Sequence, residues 1–406
     1  MKKMDPYFLK QVDFWYKDVA MKFRVSQSLF SSHQIDTGTQ RLLKSLIDLP
    51  VQPGAKILDL GCGYGPIGLS LAKRFTNSQV HMVDRDALAV HFTQQNATLN
   101  GLDNCVIYGS LDYEDIHERA FDFIVSNIPG KAGDDVIAAL LLDARYYLKP
   151  DGMVAVVVVS PLEDLVVSIL DQPDIEVLNH SVFSGHIIFH YRFTTPMPGN
   201  FDIDRVETGL YQRASVGLSL DDMDFDIETA HGLPEFDSLD YQTDLLIKVL
   251  IAIAPQPAPY IMICNPGQGY IPVLLWRLLQ PEKLTVLSRD LLSLRFTARN
   301  LQINGCPGSQ VAIIHQVGWE LSRSGDSASE LNNLIVGILP DGDGPEISTL
   351  ETGQAVNHLA KGGFLFAAGG STPITRLIKN MQPDKRLVLT KRRKHQGKSV
   401  GVWQRR

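Results

Sequence analysis

The run ILDLGCGYGPIG, residues 57–68, combines one carboxylate with closely spaced glycines after a short apolar stretch. Gly63, Gly65 and Gly68 spell the GxGxxG pattern of dinucleotide sites, in which backbone N–H groups at a helix N-terminus face the ligand. A pyrophosphate would gain nothing from the negative charge of Asp59, which stands just before these glycines. A carboxylate there can instead hold the ammonium of a methionine moiety. The run therefore favours S-adenosylmethionine over a dinucleotide.

Further candidates for this cofactor site follow the next two predicted strands. Asp84 stands 19 positions after Gly65, where a carboxylate can accept hydrogen bonds from both ribose hydroxyls. Asp112, in GSLDYEDI, is a candidate acceptor for an adenine amine, with a plain loop as the alternative. The complete set predicted to bind the cofactor is Asp59, Gly61, Cys62, Gly63, Gly65, Asp84, Arg85, Asp112 and Ser126.

A second polar corner, SNIPGKAG at residues 126–133, has groups that can bind an amine. The Asn127 amide oxygen and the backbone carbonyl of Ile128 can accept both hydrogens of an exocyclic amine, whose lone pair is otherwise delocalised into its ring. Oriented proximity of this kind is worth on the order of several kcal/mol. Lys131 is a candidate contact for a phosphate or a base carbonyl, with a solvated surface lysine as the alternative.

These residues belong to one half of a tandem duplication. Residues 35–102 align with residues 239–306 without a gap, and about 21 of the 68 pairs are identical, which chance similarity would not sustain. An offset of 211 then aligns FIVSNIPG with LIVGILPD. Each half alternates short apolar strands with helical stretches, which predicts a parallel sheet covered by helices on both faces. A hairpin turning at Ser184-Gly185 is expected to close the first sheet.

The duplication predicts the domain boundaries and a degenerate second half. We expect a catalytic domain over 1–195, a linker over 196–220 and a second domain over 221–406, with a short extended entry segment before each half's first helix. The residues equivalent to Asp59, Gly61, Asp84 and Asn127 are Ile263, Asn265, Ser288 and Ile338. The second half is therefore predicted to keep the glycine turn but to bind no cofactor.

Six segments of the first half, over roughly residues 18–195, resemble the small-domain methyltransferases: SLFSSHQIDTGTQRLL, ILDLGCGYGPIGLSLAK, VHMVDRD, QQNATLNG, FDFIVSNIPGKAG and LKPDGMVAVVV. That family includes the ribosomal RNA guanine-N2 methyltransferases of the bacterial small subunit. The resemblance implies an α/β fold of two tandem Rossmann-like, seven-stranded class I methyltransferase domains, the second degenerate. It also implies that the glycine turn binds S-adenosylmethionine and that Asn127 and Pro129 hold the target amine.

The chain departs from the family's Asn-Pro-Pro-aromatic pattern, because Ile128 and Gly130 stand where the second residue and the aromatic are expected. Extruding a base costs about a few kcal/mol, part of which aromatic stacking offsets. Phe30, His33 or Phe183 is expected to supply the missing ring. Phe30 is included with Lys131 among the predicted substrate contacts.

The charge distribution predicts an RNA-binding hairpin. The net charge is -7, yet residues 385–406 contain nine Lys or Arg and no acidic side chain. The repeat makes this segment the closing hairpin of the second half, with KRRKHQGK at its turn. Lys391, Arg392, Arg393 and Lys394 are predicted to contact a phosphate backbone. The alternative is an exposed hairpin balanced by the acidic stretch over 201–244.

Composition predicts a cytoplasmic, metal-free protein that does not enter a membrane, and the fusion of two similar domains favours a monomer. Hydrophobic residues make up 44% and charged residues 20%, and no apolar run approaches 18 residues. The N-terminal MKKMDPYFLKQ lacks the apolar core of a signal peptide. The four cysteines form no CxxC pair, so neither a zinc site nor a disulfide framework is expected.

The favoured function is S-adenosylmethionine-dependent methylation of an exocyclic amine in RNA, with guanine N2 of ribosomal RNA as the leading example. One alternative is a methyltransferase that acts on a small molecule or a protein. Another is a catalytically inactive RNA-binding or assembly factor that retains S-adenosylmethionine. A nicotinamide dehydrogenase comes third, because Asp59 and Asn127 have no place in that chemistry.

Overall fold

The computed structural model describes residues 5–29, 31, 33–49, 51–195, 204–220, 223–235, 237–321, 331–340, 342 and 344–406. The chain divides into two compact units, Met1–Tyr211 and Gln212–Arg406. In each unit an antiparallel hairpin precedes a mixed seven-stranded sheet.

The first unit alternates strands with helices as the sequence predicts. Its elements are β1 (Lys10–Tyr16), β2 (Val19–Val25), α1 (Thr37–Ser45), β3 (Lys56–Leu60), α2 (Pro66–Arg74), β4 (Gln79–Asp84), α3 (Ala87–Leu99), β5 (Cys105–Gly109), β6 (Phe121–Asn127), α4 (Asp134–Leu142), β7 (Leu148–Val159), α5 (Glu163–Leu170), β8 (Ile175–Phe183) and β9 (His186–Phe193). Short 3-10 turns flank β7.

The first sheet has the strand order β5-β4-β3-β6-β7-β9-β8. Strands β3 to β7 are parallel, and β9 runs antiparallel to β7 and to β8. Residues 154–158 of β7 are at most 2% exposed, as expected for a strand covered on both faces. The chain reverses its direction of progress between β3 and β6, and ligands bind beyond the carboxyl ends of strands at such a switch point.

The second unit repeats this order. Its elements are β10 (Gln212–Leu220), β11 (Met223–Ala230), α6 (Tyr241–Ile253), β12 (Tyr260–Cys264), α7 (Tyr270–Leu279), β13 (Lys283–Ser288), α8 (Leu291–Ile303), β14 (Val311–His315), β15 (Asn332–Ile338), α9 (Pro345–Val356), β16 (Leu359–Gly370), α10 (Ser371–Met381), β17 (Leu387–His395) and β18 (Lys398–Arg405). Strands β12 and β13 lie 204 positions after β3 and β4, whereas β15 and β16 lie 211 positions after β6 and β7. Both predicted offsets are thus confirmed.

The predicted domain boundaries need a correction. The sequence predicts a linker over 196–220, but residues 212–220 form β10, which pairs with β11. The two expected entry segments contain the second strand of each N-terminal hairpin, β2 and β11. Comparison of the two halves does not reveal the hairpins because their residue types differ. Their backbone contacts nevertheless recur. Asn96 Oδ1 accepts from the backbone N–H of Arg24 at 2.7 Å, and Asn300 Oδ1 accepts from that of Glu228 at 2.8 Å.

The described part of the chain also bears on membranes, disulfides and metals. None of its helices combines the length and apolarity needed to cross a bilayer. All four cysteines are free thiols. Within the described ranges, no three His, Cys, Asp or Glu side chains are grouped so that they could hold a metal ion.

Candidate active site

A buried carboxylate lies at the end of β3. Asp59 is fully buried, and its Oδ2 accepts the Gly68 N–H at 2.7 Å. Its Oδ1 is also buried and has no hydrogen-bond partner among the described residues. Burial raises the pKa of this carboxyl to about 7, and the charge of Asp84 contributes to the rise. An orphaned buried acceptor is costly, so the site fits a cationic ligand such as the ammonium of S-adenosylmethionine.

Three backbone N–H groups of the glycine turn donate to backbone carbonyls of the protein and do not face a ligand. The N–H groups of Gly61 and Cys62 both donate to Val83 O at 2.9 Å, and that of Gly65 donates to Cys62 O at 2.9 Å. The sequence pattern predicts N–H groups that face a ligand, and for these three residues the prediction is wrong. A pyrophosphate site needs such donors, so the turn argues further against a dinucleotide.

The glycines of the turn serve two different purposes. A Cβ added at Gly61 or Gly63 would meet nothing within 4 Å, and both residues have positive φ, 77° and 58°. These two glycines therefore shape the backbone and leave open space beside it. Gly65 also has a positive φ, 93°, and a Cβ there would lie 2.5 Å from Leu69 Cδ1, so this glycine is needed for packing as well.

A second carboxylate, Asp84, ends β4 beside the turn. Its Oδ2 accepts the Gly63 N–H at 2.8 Å and its Oδ1 accepts the Asp86 N–H at 2.9 Å. Each carboxylate oxygen can accept about two hydrogen bonds. The predicted ribose contact at Asp84 is compatible with this geometry and stays a prediction.

Two other predicted cofactor residues turn their side chains inward. The Cys62 thiol is buried 3.7 Å from Thr93 Oγ1, and burial raises its pKa well above the ordinary value. The buried Ser126 hydroxyl donates to Leu60 O at 2.7 Å. Either residue would therefore meet a ligand through its backbone rather than through its side chain. Arg85 follows β4 and is half-buried.

The structure does not support the predicted adenine contact at Asp112. This carboxylate is 3% exposed, its Oδ1 accepts from Arg205 Nε at 2.8 Å, and its Oδ2 accepts from the Tyr211 hydroxyl at 3.1 Å. Arg205 also donates to Asp143 at 2.8 Å. Both partners of Asp112 lie in the segment that the sequence assigns to the linker, which is why their role cannot be inferred from the local pattern.

Asn127 ends β6, where its amide is held in one orientation. Its Nδ2 donates to Asp36 Oδ2 and to Thr39 Oγ1, both at 3.1 Å. A carboxylate only accepts, so Nδ2 must face Asp36 and Oδ1 must point away from it. Asp36 also caps α1 by accepting the Thr39 N–H. Sequence reasoning missed both supporting residues, although an Asp that precedes a helix is a recognisable cap signal.

The residues after Asn127 form the corner that is predicted to hold an amine. The Ile128 N–H donates to Val157 O at 3.0 Å, so strand pairing continues past Asn127 and fixes the peptide between them. Ile128 is buried, whereas Pro129, Gly130 and Lys131 are exposed. The predicted acceptance by the Ile128 carbonyl and the substrate contact of Lys131 stay predictions.

Three rings are predicted to replace the missing aromatic. Phe30 lies outside the described residues. His33 is exposed. Phe183 ends β8 with 42% of its surface exposed, and the Arg41 guanidinium carbon lies 5.0 Å from its ring centroid. Of the two rings that the structure describes, Phe183 is thus held by a cation–π contact with Arg41, and its role toward the base stays a prediction.

The equivalent position in the second unit lacks the features of a cofactor site. Ile263, which replaces Asp59, is fully buried. The Trp319 ring packs where a Cβ at Gly337 would lie, 2.3 Å from its Cη2, and Gly337 is equivalent to Ser126. Asn265 Nδ2 donates to Ile338 O at 3.0 Å. These contacts support the prediction that this half binds no cofactor.

The predicted closing hairpin of the second half is confirmed as β17 and β18, with its turn at Gln396-Gly397. The basic run KRRK itself lies within β17, before that turn. Arg392 is tied to α10 by a hydrogen bond to Thr375 Oγ1. Lys391 is half-buried, whereas Arg393 and Lys394 are exposed. Strand geometry alternates the side chains between the two faces, so the predicted single cationic cluster is divided.

The first unit is similar in sequence to known proteins. The profile of the family described as Methyltransferase small domain matches residues 20–171. The uncharacterized protein YbxB of Bacillus subtilis is 36% identical over 137 residues, which are 34% of this chain and 67% of that protein. The ribosomal RNA small subunit methyltransferase C of Haemophilus influenzae is 37% identical over 133 residues, 32% of this chain and 39% of that protein. The chain thus spans about two fifths of the named methyltransferases' length.

A solved structure resembles both halves. The 16S rRNA guanine-N2 methyltransferase of T. thermophilus, in complex with AdoMet and guanosine, aligns with a TM-score of 0.66 at 15% identity. The alignment covers 98% of this chain and 99% of that protein. At this identity the similarity shows the fold, and it confirms the predicted tandem Rossmann-like arrangement.

Proposed function

Because the chain belongs to the methyltransferase small-domain family, we propose that it methylates guanine N2 of small-subunit ribosomal RNA, using S-adenosylmethionine. The observation that carries this proposal is the fixed amide of Asn127, whose oxygen is directed away from Asp36. The name of the Haemophilus relatives supports small-subunit ribosomal RNA as the substrate, and the guanosine bound by the T. thermophilus enzyme supports the choice of base.

The first unit has residues that suit each part of the cofactor. The orphaned Oδ1 of Asp59 would pair with the methionine ammonium, and Asp84 would accept from the ribose hydroxyls. The open space at Gly61 and Gly63 would admit the ligand beside the backbone. When bound, S-adenosylmethionine supplies a methyl group activated by a sulfonium.

The role of Asn127 is to orient the amine. Its Oδ1 would accept one amine N–H, which presents the nitrogen lone pair for attack on the methyl carbon. This hydrogen bond strengthens as the nitrogen gains positive charge, so it stabilises the transition state more than the bound substrate. The methylated nitrogen then loses its extra proton to water. Asp36 and Thr39 keep the amide from rotating.

The proposed reaction can be tested with the purified full-length chain, methyl-labelled S-adenosylmethionine and small ribosomal subunits that lack the modification. We expect label in the RNA and N2-methylguanosine after nuclease digestion. Label in a protein or low-molecular-mass fraction instead would favour another substrate. Tight cofactor binding without transfer to any fraction would favour an assembly factor and overturn the proposal.

The cations on one face of β17 are proposed to bind the RNA backbone. Lys391 and Arg393 are two residues apart on this strand and therefore share a face. Replacing both by Ala should weaken RNA binding and reduce the salt slope by about 1.5, because each phosphate contact contributes roughly 0.7 to 0.9. Filter binding at several salt concentrations measures both quantities. Replacing Arg213 and Lys248, which pair with acidic side chains elsewhere in the second unit, makes the same charge change as a control. Equal slopes for both variants would remove the hairpin from the interface.

A ribosomal RNA substrate also bears on where and how the chain works. Methylation of ribosomal RNA implies a cytoplasmic enzyme. The monomer stays a prediction, which the fusion of two similar domains in one chain supports.

A further inference from the structure

We propose that His186, together with the Arg41–Phe183 pair, forms the wall on which the target purine stacks. This wall would take over the role of the aromatic that is absent at Gly130. The inference rests on the proposed function, because it concerns the base presented to Asn127. His186, Arg41 and Phe183 would then select a purine beside Asn127.

Sheet register places His186 on the same face as Asn127. Asn127 pairs with Val157 between β6 and β7, and Val159 pairs with His186 between β7 and β9. Paired residues share a face, and so do residues two apart on one strand. The side chains of Asn127, Val159 and His186 therefore project from one face near the carboxyl edge of the sheet. Ser45 of α1 contacts His190 on that face at 2.9 Å, so α1 covers it.

The first turn of α1 brings the His186 ring up to the Asn127 corner. A Cβ on Gly38 would lie 2.6 Å from His186 Cδ2 and 2.9 Å from Asp36 Oδ2. The same Asp36 oxygen accepts from Asn127 Nδ2. Only Gly38, which has no side chain, lies between the His186 imidazole edge and the Asp36 carboxylate that orients the Asn127 amide. The ring is a neighbour of the amine-binding group.

Arg41 holds the wall together. Its NH1 donates to Ser184 O at 2.6 Å and lies 3.4 Å from His186 Nδ1. Because a guanidinium only donates, Nδ1 would be the acceptor in this contact. The Arg41 guanidinium carbon also lies 5.0 Å from the Phe183 ring centroid. Three planar groups are therefore assembled at the end of the β8–β9 hairpin.

The wall and Gly130 border the same space. A Cβ at Gly130 would lie 3.0 Å from Val159 Cγ2, and Val159 is the register partner of His186. Val159 and Phe183 are 37% and 42% exposed, so apolar surface remains open there. Planar rings and a guanidinium suit a purine, which offers a wide π-face and, in guanine, a carbonyl acceptor. The missing aromatic is thus replaced from another strand.

The primary test measures nucleoside binding by equilibrium dialysis in the presence of S-adenosylhomocysteine. Wild-type protein should bind guanosine more tightly than cytidine, and His186→Ala should weaken guanosine binding about tenfold or more, in the range of base–aromatic stacking. His186→Phe should restore binding, since the ring face is kept. S-adenosylhomocysteine affinity should not change in any variant.

The control is His180→Ala, on the same hairpin. His180 stacks on Phe189 at 4.5 Å, and Phe189 alternates with Ile188 and His190 to the other face of the sheet. This variant should bind guanosine as the wild type does. Equal guanosine binding by wild type and His186→Ala would overturn the wall.

Failure of the proposed function gives a different pattern. If wild-type protein transfers no methyl group to ribosomal RNA but guanosine binding depends on His186, the wall stands and the proposed reaction falls. If wild-type and His186→Ala proteins methylate the RNA with the same kcat/KM and bind guanosine equally, the reaction stands and the wall falls.

Discussion

Replacing Asn127 by Ala will lower kcat for methyl transfer to RNA by about a hundred- to a thousandfold, while the affinity for S-adenosylmethionine stays at the wild-type value. The expected size follows from the loss of one preorganised hydrogen-bonding group at a developing charge. Cofactor affinity is spared because the carboxylates and the glycine turn do not depend on this side chain. Single-turnover transfer and calorimetry measure the two quantities separately.

A matched variant tests the orientation of the amide. Asp36→Asn keeps a good helix cap, so α1 should still form. It offers the Asn127 amide a neighbour that can donate as well as accept, so the amide is no longer held with its oxygen toward the substrate. We expect a fall in kcat of about tenfold with little change in melting temperature. Full activity in Asn127→Ala would refute the amine-orienting role altogether.

Asp59→Ile will weaken cofactor binding about a hundredfold or more, because isoleucine is the residue at the equivalent position of the degenerate half. Ile263 is fully buried at the end of β12, so an isoleucine fits this position of the fold. The variant should therefore fold while it lacks the counter-charge for the ammonium. Calorimetry should give one site per chain for the wild type and none for the variant. Two sites in the wild type would contradict the prediction for the second half.

The pH dependence of binding supplies the control for this variant. The pKa of Asp59 is raised to about 7, so below pH 7 the carboxyl is increasingly neutral and pairs poorly with an ammonium. Affinity should rise roughly tenfold between pH 5.5 and 7, since one pH unit below the pKa costs about a factor of ten. Asp59→Asn should bind weakly with no such rise. A flat wild-type profile would place the cofactor ammonium away from Asp59.

Much of the first unit was predictable from local patterns. The apolar run before Asp59 and the glycines after it predict β3 and its turn, because a buried strand and a left-handed backbone each leave a clear residue signature. The duplication supported this, since a second copy at a fixed offset repeats the same strands. Asn127 was found because strand, Asn and Pro occur in a recognisable order.

The missed features depend on contacts between distant segments. Nothing in GSLDYEDI reveals that Asp112 pairs with Arg205, 93 positions later. Asp36 and Asn127 are 91 positions apart, so their hydrogen bond has no local signature either. The sequence predicts that Arg392 is an exposed cation, whereas in the structure it donates to Thr375 of α10. Sequence patterns predict elements well, but pairings of polar side chains require the packed structure.

The buried ion pairs of Arg205 within the first unit determine where the chain can be divided. Its guanidinium meets Asp112 and Asp143, and Tyr211 adds a hydroxyl to the same cluster. A fragment that stopped at residue 195 would leave these carboxylates without their cation, and breaking a buried pair in this way costs about 3–5 kcal/mol. A fragment that continued through Tyr211 would keep them paired. Residues 205–211, which the sequence assigns to a linker, are therefore part of the packed first unit, and the junction between the two copies lies after them.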